Sequence, residues 1–454
     1  MFQNLDRFTT NTAIIEDSNS YTFLDILNFS NELSKYIKSR DLIVHLTTNS
    51  FESIASYVSC IKNDIVSLLL SDDLEKSFLE NILKSYKPKY ILLPIKLQNM
   101  FQFKEIVKFK KYVLLQTTFK IDYKINDDLI LLLSTSGTTG TPKFVRQSYT
   151  NLSSNSNSII EYLNIKSSHR AVTTLPTHYT FMLSIINTHL MVGASIVVTN
   201  YSMIQKEFYQ LLKQEEITTI SGVPFTFEML KRLRFENLDL ANVEYITQAG
   251  GKLADKLVEY FIVESQKKNI KFIVMYGQTE ATARISYLPW KKAKEKIGSI
   301  GIAIPHGKIT LADDNELIYS GENVTLGYAS DCYDLQNGDD NQGLLHTGDI
   351  AQVDEDGFFY ITGRKKRFVK IFGNRINLDE IDSILQNGGF EAITLGDDKN
   401  IIIYGVDNNK NETLTFLSKK LKLSKNIFKY KAVEQILRNS AGKILYKEME
   451  NLYA

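Results

Sequence analysis

Cysteine is scarce: Cys60 and Cys332 are the only two in 454 residues. Two thiols cannot build a disulfide framework or a Cys-rich metal site, which fits a reducing, cytoplasmic setting. Charge of one sign is also missing. Lys and Arg number 53 against 52 Asp and Glu, for a formal net charge of +1. No electrostatic footprint for nucleic acid or an anionic membrane is visible. The longest apolar runs are strand-sized, which argues against a membrane span. The first ten residues are polar and hold no apolar h-region, so no signal peptide is expected. There is no internal repeat and no low-complexity stretch. What remains is ordinary for a soluble globular chain, 43% apolar and 23% charged, with a length that fits two or three domains.

Helical and strand patterns alternate through the first 125 residues. Helical spacing at Phe23 to Ile37, Phe51 to Ile61 and Asp73 to Tyr86 is interleaved with apolar runs at Leu42 to Leu46, Val66 to Leu70 and Tyr90 to Leu93. That alternation predicts a mostly parallel sheet with helices on both faces. A second α/β layer is expected over about residues 165 to 285. From about Gly298 the runs shorten and alternate between Gly and Asp turns, which predicts a twisted antiparallel or barrel-like subdomain. After Arg364 a basic, mixed segment completes the chain.

Three stretches carry candidate chemistry. The apolar run Leu129 to Leu133 ends in Ser134-Thr135-Ser136-Gly137-Thr138-Thr139-Gly140-Thr141-Pro142-Lys143. Its glycines let the backbone approach a ligand. Its hydroxyls and consecutive N–H groups can line an anion nest, and Lys143 adds one positive charge. This reads as a polyphosphate cradle, although its spacing is not that of the Walker loop. The second stretch is Tyr276-Gly277-Gln278-Thr279-Glu280, just after the strand pattern Lys271 to Met275. Open α/β sheets bind ligands at such strand ends. An aromatic ring, a hydroxyl and a carboxylate there can stack a base, touch a phosphate and hold Mg²⁺; an ordinary polar loop is the competing reading. The third runs from His346-Thr347-Gly348-Asp349 to Gly363-Arg364-Lys365-Lys366-Arg367. Asp349 can accept from two vicinal hydroxyls, and the fork of Arg364 can pair with phosphate. Gln248-Ala249-Gly250-Gly251-Lys252 and Arg438-Asn439-Ser440-Ala441-Gly442-Lys443 read, taken alone, as tight turns.

Taken in order, these pieces resemble the adenylate-forming superfamily of acyl- and aryl-CoA synthetases, peptide-synthetase adenylation domains and firefly luciferases. Thr135 to Lys143 matches the phosphate loop and Tyr276 to Glu280 the adenine and magnesium motif. Thr347 to Asp349 matches the ribose aspartate, Gly363 to Arg375 the hinge region, and Gly442-Lys443 the C-terminal lysine. The resemblance covers roughly residues 20 to 450. It implies an N-terminal AMP-binding domain over 1–364, with mostly parallel sheets in α/β layers plus the barrel-like part. A small α+β C-terminal domain over 365–454 would follow on a hinge at Lys366.

The resemblance implies an acid–thiol ligase. ATP and a carboxylate would give acyl-AMP and pyrophosphate, and a thiol would then displace AMP. The thiol is coenzyme A or the phosphopantetheine of a separate acyl carrier protein. Thr135, Ser136, Gly137, Thr138, Thr139, Gly140, Lys143 and Thr279 would receive the phosphates, and Glu280 would hold Mg²⁺. Tyr276 and Gly277, with Gly250 and Gly251, would face adenine. Asp349 would take the ribose hydroxyls, and Arg364 and Arg375 would meet phosphate. Lys443 would bridge the substrate carboxylate and the α-phosphate, and Gly373 would line the approach of the thiol. The acyl pocket would be lined by Tyr179, Thr180, Ser184, Val223, Phe225 and Gln248, with His178 as polar support.

Several positions depart from the family pattern. Phe144 stands where Gly usually follows Lys143, Leu437 stands where Pro is common, and the small domain is short. Thr180 occupies the place of the Asp that pairs with the amino group in α-amino-acid domains, which argues against that substrate class. Two pocket aromatics suggest a small to medium acyl or aryl acid. The stretch Tyr276 to Pro289 looks most like bacterial acyl-CoA ligases from polysaccharide or secondary-metabolite gene clusters. A catalytically silent nucleotide binder and a luciferase-like oxygenase are the alternatives. The presence of Glu280, Asp349 and Lys443 together favours the ligase.

Overall fold

The structure is a computed structural model. It describes the chain except residues 135–142, 366, 372–373, 398–399, 407–408, 422, 440–441, 443 and 454, and the side chains at 368, 370, 371, 374 and 375. Two large sheets face each other across shared helices. The first sheet has eight strands. At its centre Leu129–Ser134, Val66–Ser71, Leu42–Thr47 and Tyr90–Pro94 run parallel. These strands are mostly apolar and almost wholly buried because both of their faces are covered. The second sheet has nine strands. Its parallel core contains Ser195–Val198, Arg170–Val172, Thr219–Gly222, Tyr245–Gln248 and Lys271–Tyr276.

The helix Phe51–Lys62 shows how the layers join. Every residue from Phe51 to Ile61 is buried, as expected of a helix packed on all sides. Its serines are tolerated there because they bond back along the helix. Ser56 Oγ donates to the carbonyl of Glu52, and Ser59 Oγ to that of Ala55, both at 2.6 Å. One core cluster then combines Ile54, Ala55, Val58 and Ile61 with Leu131 and Leu133 of the first sheet and Ile14, Ile196 and Val198 of the second.

The expected second layer at 165 to 285 extends further at both edges, with Asn19–Thr22 outermost on one side and Ser286–Tyr287 and Ile302–Ala303 on the other. Thr12–Glu16 joins that sheet, pairing parallel with Ser195–Val198 through Ile14 and Ile196. The cradle also differs in setting. Leu129–Ser134 pairs antiparallel with Phe144–Ser148, and Ser134 lies opposite Phe144. Residues 135–142 therefore connect the two arms of a hairpin, and the helix Tyr149–Leu163 begins only after the returning strand. That helix carries a capping box between Ser148 and Asn151.

Lys308–Leu311, Glu316–Ser320, Leu344–Val353 and Phe359–Arg364 form the antiparallel subdomain. Leu344–Val353 is one long strand with Asp349 inside it, where the sequence pattern shows only its end from Ala351. Beyond it, Ala392–Gly396, Ile401–Gly405 and Phe428–Ala432 form a three-stranded sheet. Ile381 and Leu385 of the helix Leu378–Gly388 and Leu417 of the helix Lys410–Leu421 pack with Ile401 and Ile403 in a separate core. No described helix is long and apolar enough to cross a membrane.

Candidate functional site

The strands Thr219–Gly222, Tyr245–Gln248 and Lys271–Tyr276 are in register, with Gly222 beside Gln248 and Gln248 beside Val274. Their carboxyl ends therefore open at one level, and four of the sequence candidates follow directly: Val223, Gly250, Gly251 and Tyr276. Gly277 is fixed by its surroundings. A Cβ there would fall 1.8 Å from the carbonyl oxygen of Ala283. Only a glycine lets the Tyr276 to Glu280 segment fold back on its own return loop.

Asp349 reaches this strand end from the antiparallel subdomain and is 4% exposed. The Tyr276 hydroxyl donates to its Oδ2. The Gln278 amide donates to the same oxygen at 3.0 Å, and Arg364 Nε to Oδ1 at 3.2 Å. Gln278 also donates to the carbonyl of Thr347 at 3.0 Å. Burial, and then the neighbouring Asp349 charge, hold the Tyr276 phenol well above its ordinary pKa. The ring of Tyr276 is thus pinned at its hydroxyl beside a carboxylate that can accept further donors. In this arrangement Arg364 lies against Asp349.

Thr279 and Glu280 sit on the single turn Thr279–Ala281. Gln147 Nε2 donates to the carbonyl of Thr279 at 3.2 Å, and Thr180 Oγ1 donates to its hydroxyl at 3.2 Å. Glu280 Oε1 accepts from the Tyr328 hydroxyl at 2.7 Å. Tyr328 was invisible as a site residue in the sequence, because it stands in a short strand far from any charged motif. The structure brings it in by pairing Tyr328–Ala329 with Phe144–Ser148. Fully buried Arg146 fastens that pairing through the carbonyls of Tyr328 at 3.1 Å and Leu326 at 2.7 Å. No group of three or more metal-ligating side chains occurs among the described residues. The single carboxylate of Glu280 fits Mg²⁺, which takes one or two protein carboxylates plus ligand oxygens.

The acyl pocket candidates meet at the start of the helix Thr180–Met191. A Cβ on Gly250 would lie 3.0 Å from Val223 and 3.8 Å from the Tyr179 hydroxyl, so these three positions adjoin. Burial raises the Tyr179 phenol and lowers His178. The pocket wall is therefore desolvated. His178 Nδ1 meets Thr47 Oγ1 at 3.2 Å, at the end of the first sheet's strand Leu42–Thr47. Gln248 is buried with its amide on the carbonyl of Gly251 at 2.8 Å, bracing the turn. Phe225 is 42% exposed at the rim.

The C-terminal loop closes on this rim. A Cβ at Gly442 would lie 2.9 Å from Val223 Cγ2 and 3.2 Å from Phe225 Cβ. The Arg438 guanidinium sits 5.9 Å from the Phe225 ring. Lys443 lies outside the described residues. So do Thr135, Ser136, Gly137, Thr138, Thr139, Gly140, Lys366 and Gly373, and the side chain of Arg375. Lys143 is exposed at the cradle's end.

Flanking residue 366, the side chains attach to opposite bodies. Lys365 Nζ pairs with Asp314 at 2.8 Å and Glu316 at 2.7 Å in the antiparallel subdomain. Arg367 pairs with Asp379 at 2.6 Å and Asp382 at 3.0 Å and stacks 3.9 Å over Tyr446 in the C-terminal segment.

Comparison with known proteins agrees with this geometry. A family model described as AMP-binding enzyme matches residues 1–329. The 2-succinylbenzoate–CoA ligase of Staphylococcus epidermidis is 25% identical over 462 residues, covering 97% of this chain and 94% of that protein. The enzyme of the same description from Listeria innocua is 28% identical over 267 residues, covering 58% of this chain and 54% of its own length. Among solved structures, the o-succinylbenzoate CoA synthetase of Bacillus subtilis, in complex with its acyl-adenylate intermediate, superposes with a TM-score of 0.80. It is 20% identical, and the match covers 99% of this chain and 97% of that one.

Proposed function

Because the chain belongs to the AMP-binding enzyme family, we propose that the crevice at these strand ends activates a small carboxylic acid with ATP and passes the acyl group to coenzyme A. It is an AMP-forming acid–thiol ligase. In the first half-reaction a carboxylate oxygen attacks the α-phosphorus of ATP; the P–O bond to the β-phosphate breaks and pyrophosphate leaves. In the second, the thiol sulfur attacks the acyl carbonyl and AMP departs with the electron pair. The substrate carboxylate is already ionised at neutral pH, so the first step needs no strong base from the protein.

The residues divide the work by position. Tyr276, held at its hydroxyl, offers its face to adenine, and Asp349 accepts from the ribose. Thr279 and the cradle residues 135–140, with Lys143, receive phosphate oxygens. Magnesium, when bound, neutralises phosphate charge, and Glu280, braced by Tyr328, is the carboxylate for it. Lys443 bridges the two reacting anions and holds them in a near-attack pair. The observation that carries this reading is the seat of Gly442 against Val223 and Phe225. That seat supports a part for Lys443, the next residue in the chain, in the adenylation step.

The second step needs the small domain to turn. We place the domain boundary at 364/365 and the pivot at residue 366, because Lys365 and Arg367 are anchored on opposite bodies. Rotation would withdraw Lys443 and bring Gly373 and Arg375 towards the thiol and the nucleotide. Coenzyme A is the acceptor that matches the relatives. A carrier protein's phosphopantetheine presents the same thiol and is the alternative. The cytoplasm supplies both.

Carboxylate-dependent ATP–pyrophosphate exchange, measured with Mg²⁺ and without thiol, tests the reading. Lys443→Ala should abolish exchange yet still form thioester from supplied acyl adenylate. Loss of both half-reactions together would remove Lys443 from its assigned role. Tight ATP binding with no exchange for any acid would select the silent binder.

A further inference from the structure

Arg364 stands between two carboxylates, one on each side of residue 366 in the chain. It closes the strand Phe359–Arg364, and its Nε donates to Asp349 Oδ1 at 3.2 Å. That is the one hydrogen bond of its side chain among the described residues. The Arg364 side chain is 51% exposed against 6% for that of Asp349. The guanidinium therefore lies over the carboxylate and holds further donors in reserve.

The helix Leu378–Gly388 starts against the same strand. The Asn377 amide at its N-cap donates to the carbonyl of Thr362. A Cβ on Gly363 would fall 1.8 Å from Asn377 Nδ2, so only a glycine lets the helix start lie this close. Asp379 follows in the first turn. Its Oδ1 accepts from Arg367 at 2.6 Å. Its Oδ2 is buried and has no partner among the described residues. A carboxylate accepts at both oxygens, and leaving one buried without a donor is destabilising. The nearest spare donors belong to Arg364. Partial burial opposes the charge of that guanidinium, yet the carboxylates of Asp349 and then Asp379 hold its pKa above the ordinary value.

We propose that Arg364 changes partner when nucleotide binds: the ribose hydroxyls take Asp349, and the guanidinium turns to Asp379 Oδ2, fastening the small domain in its present seat. This rests on the ligase reading of the crevice. Without nucleotide, Arg364 is the counterion of Asp349. A ribose brings two hydroxyl donors to the same carboxylate, so the single Arg364 bond becomes dispensable. The freed fork satisfies the orphaned oxygen. Arg364 precedes residue 366 and Asp379 follows it, so this ion pair crosses the pivot, whereas Arg367–Asp379 does not. Rotation of the small domain breaks it. Asp379 is thus a positioning residue: it touches no atom of ATP, yet a bond made with nucleotide present adds to ATP affinity through linkage.

Titration calorimetry of ATP with Mg²⁺ into the full chain tests the exchange. Asp379→Asn keeps the size of the side chain and an acceptor for Arg367 but removes the charge. It should weaken ATP binding about five-fold, the low end for coupled sites, because the Arg364 side chain is half exposed. In an Arg364→Gln background the same change should cost less than about two-fold. In an Arg367→Gln background it should still cost about five-fold. Pyrophosphate exchange at subsaturating ATP should fall with ATP affinity, while thioester formation from supplied acyl adenylate changes little, because the small domain has then turned away. A defect confined to the packing of the helix would lower both rates and ignore Arg364. On the unaltered protein, ATP should slow backbone hydrogen exchange at the start of the helix Leu378–Gly388, which decides the matter even if a variant fails to fold. Unchanged ATP affinity in Asp379→Asn, a loss that persists without Arg364, or hydrogen exchange indifferent to ATP overturns the proposal. Pyrophosphate exchange in the unaltered protein without this dependence keeps the ligase reading alone. ATP binding that depends on the Arg364 and Asp379 pair, with no pyrophosphate exchange for any acid, keeps the partner change and removes the ligase reading. Absence of ATP binding removes both.

Discussion

Asp349→Asn is the substitution whose consequences the structure sets out most fully. Three donors converge on this carboxylate: the Tyr276 hydroxyl and the Gln278 amide on Oδ2, and Arg364 on Oδ1. Asparagine keeps one acceptor oxygen and turns an NH₂ group towards the remaining donors. Hydrogen bonds to a charged group contribute about 1.5–3 kcal/mol each. The Arg364 side chain is 51% exposed, so solvent reduces its share to about 1 kcal/mol or less. The ribose loses one of its two acceptor positions at the same time. With one bond to Tyr276 or Gln278 retained, the expected net loss in ATP affinity is about 2 kcal/mol, or about 30-fold in Kd. Tyr276→Phe keeps the ring and removes one bond. It should cost about 1 kcal/mol, roughly five-fold. Because the two side chains share that bond, the double variant should fall short of the sum by about 1 kcal/mol. Calorimetric titration of ATP with Mg²⁺ into the four proteins reads all of these values. An Asp349→Asn protein that binds ATP within about two-fold of the parent, with additive effects in the cycle, would refute the platform.

Two further outcomes follow from the same geometry. Gly442→Val places a Cβ 2.9 Å from Val223 Cγ2 at a φ of +76°, a strain of about 1–3 kcal/mol. It should slow pyrophosphate exchange by about ten-fold while changing thioester formation from supplied acyl adenylate far less; an equal loss in both would show that the loop does not seat for adenylation. Buried His45 and His189 are kept neutral, lowered by burial to about 3 and about 4. The unfolded chain takes up those protons near pH 6.5 and the folded chain does not, so stability should fall as pH drops from about 6.5 towards 4. At about pH 5 each histidine contributes roughly 2 kcal/mol to that loss. Urea unfolding of His189→Gln should show a shallower pH dependence, and an unchanged slope would remove His189 as a cause.

Much of this molecule is written locally. The strands Leu129–Ser134 and Lys271–Tyr276 and the helix Phe51–Lys62 lie where apolar periodicity puts them, because burial patterns repeat over a few residues. The motifs were legible for the same reason: Tyr276 to Glu280 and Thr347 to Asp349 are contiguous, so their chemistry survives without knowledge of their neighbours. The fold class followed from the order of those patterns.

What sequence order could not supply was company. Thr12–Glu16 finds its partner Ser195–Val198 across about 180 residues of chain, and five residues carry no periodicity that names a partner. Tyr328 reaches Glu280 only because Phe144–Ser148 turns back along its sheet and buried Arg146 ties the next strand to it. Arg284 stood beside a recognised motif as one more basic residue. Only packing shows that it is buried on the ring of Phe181, with no ion pair to a described carboxylate. The sequence by itself determined which residues form elements and which can bind phosphate, because those properties reside in a few consecutive side chains. Which carboxylate Tyr276 leans on and where Gly442 docks were decided by tertiary packing. Each depends on the desolvation and proximity of residues far apart in the chain.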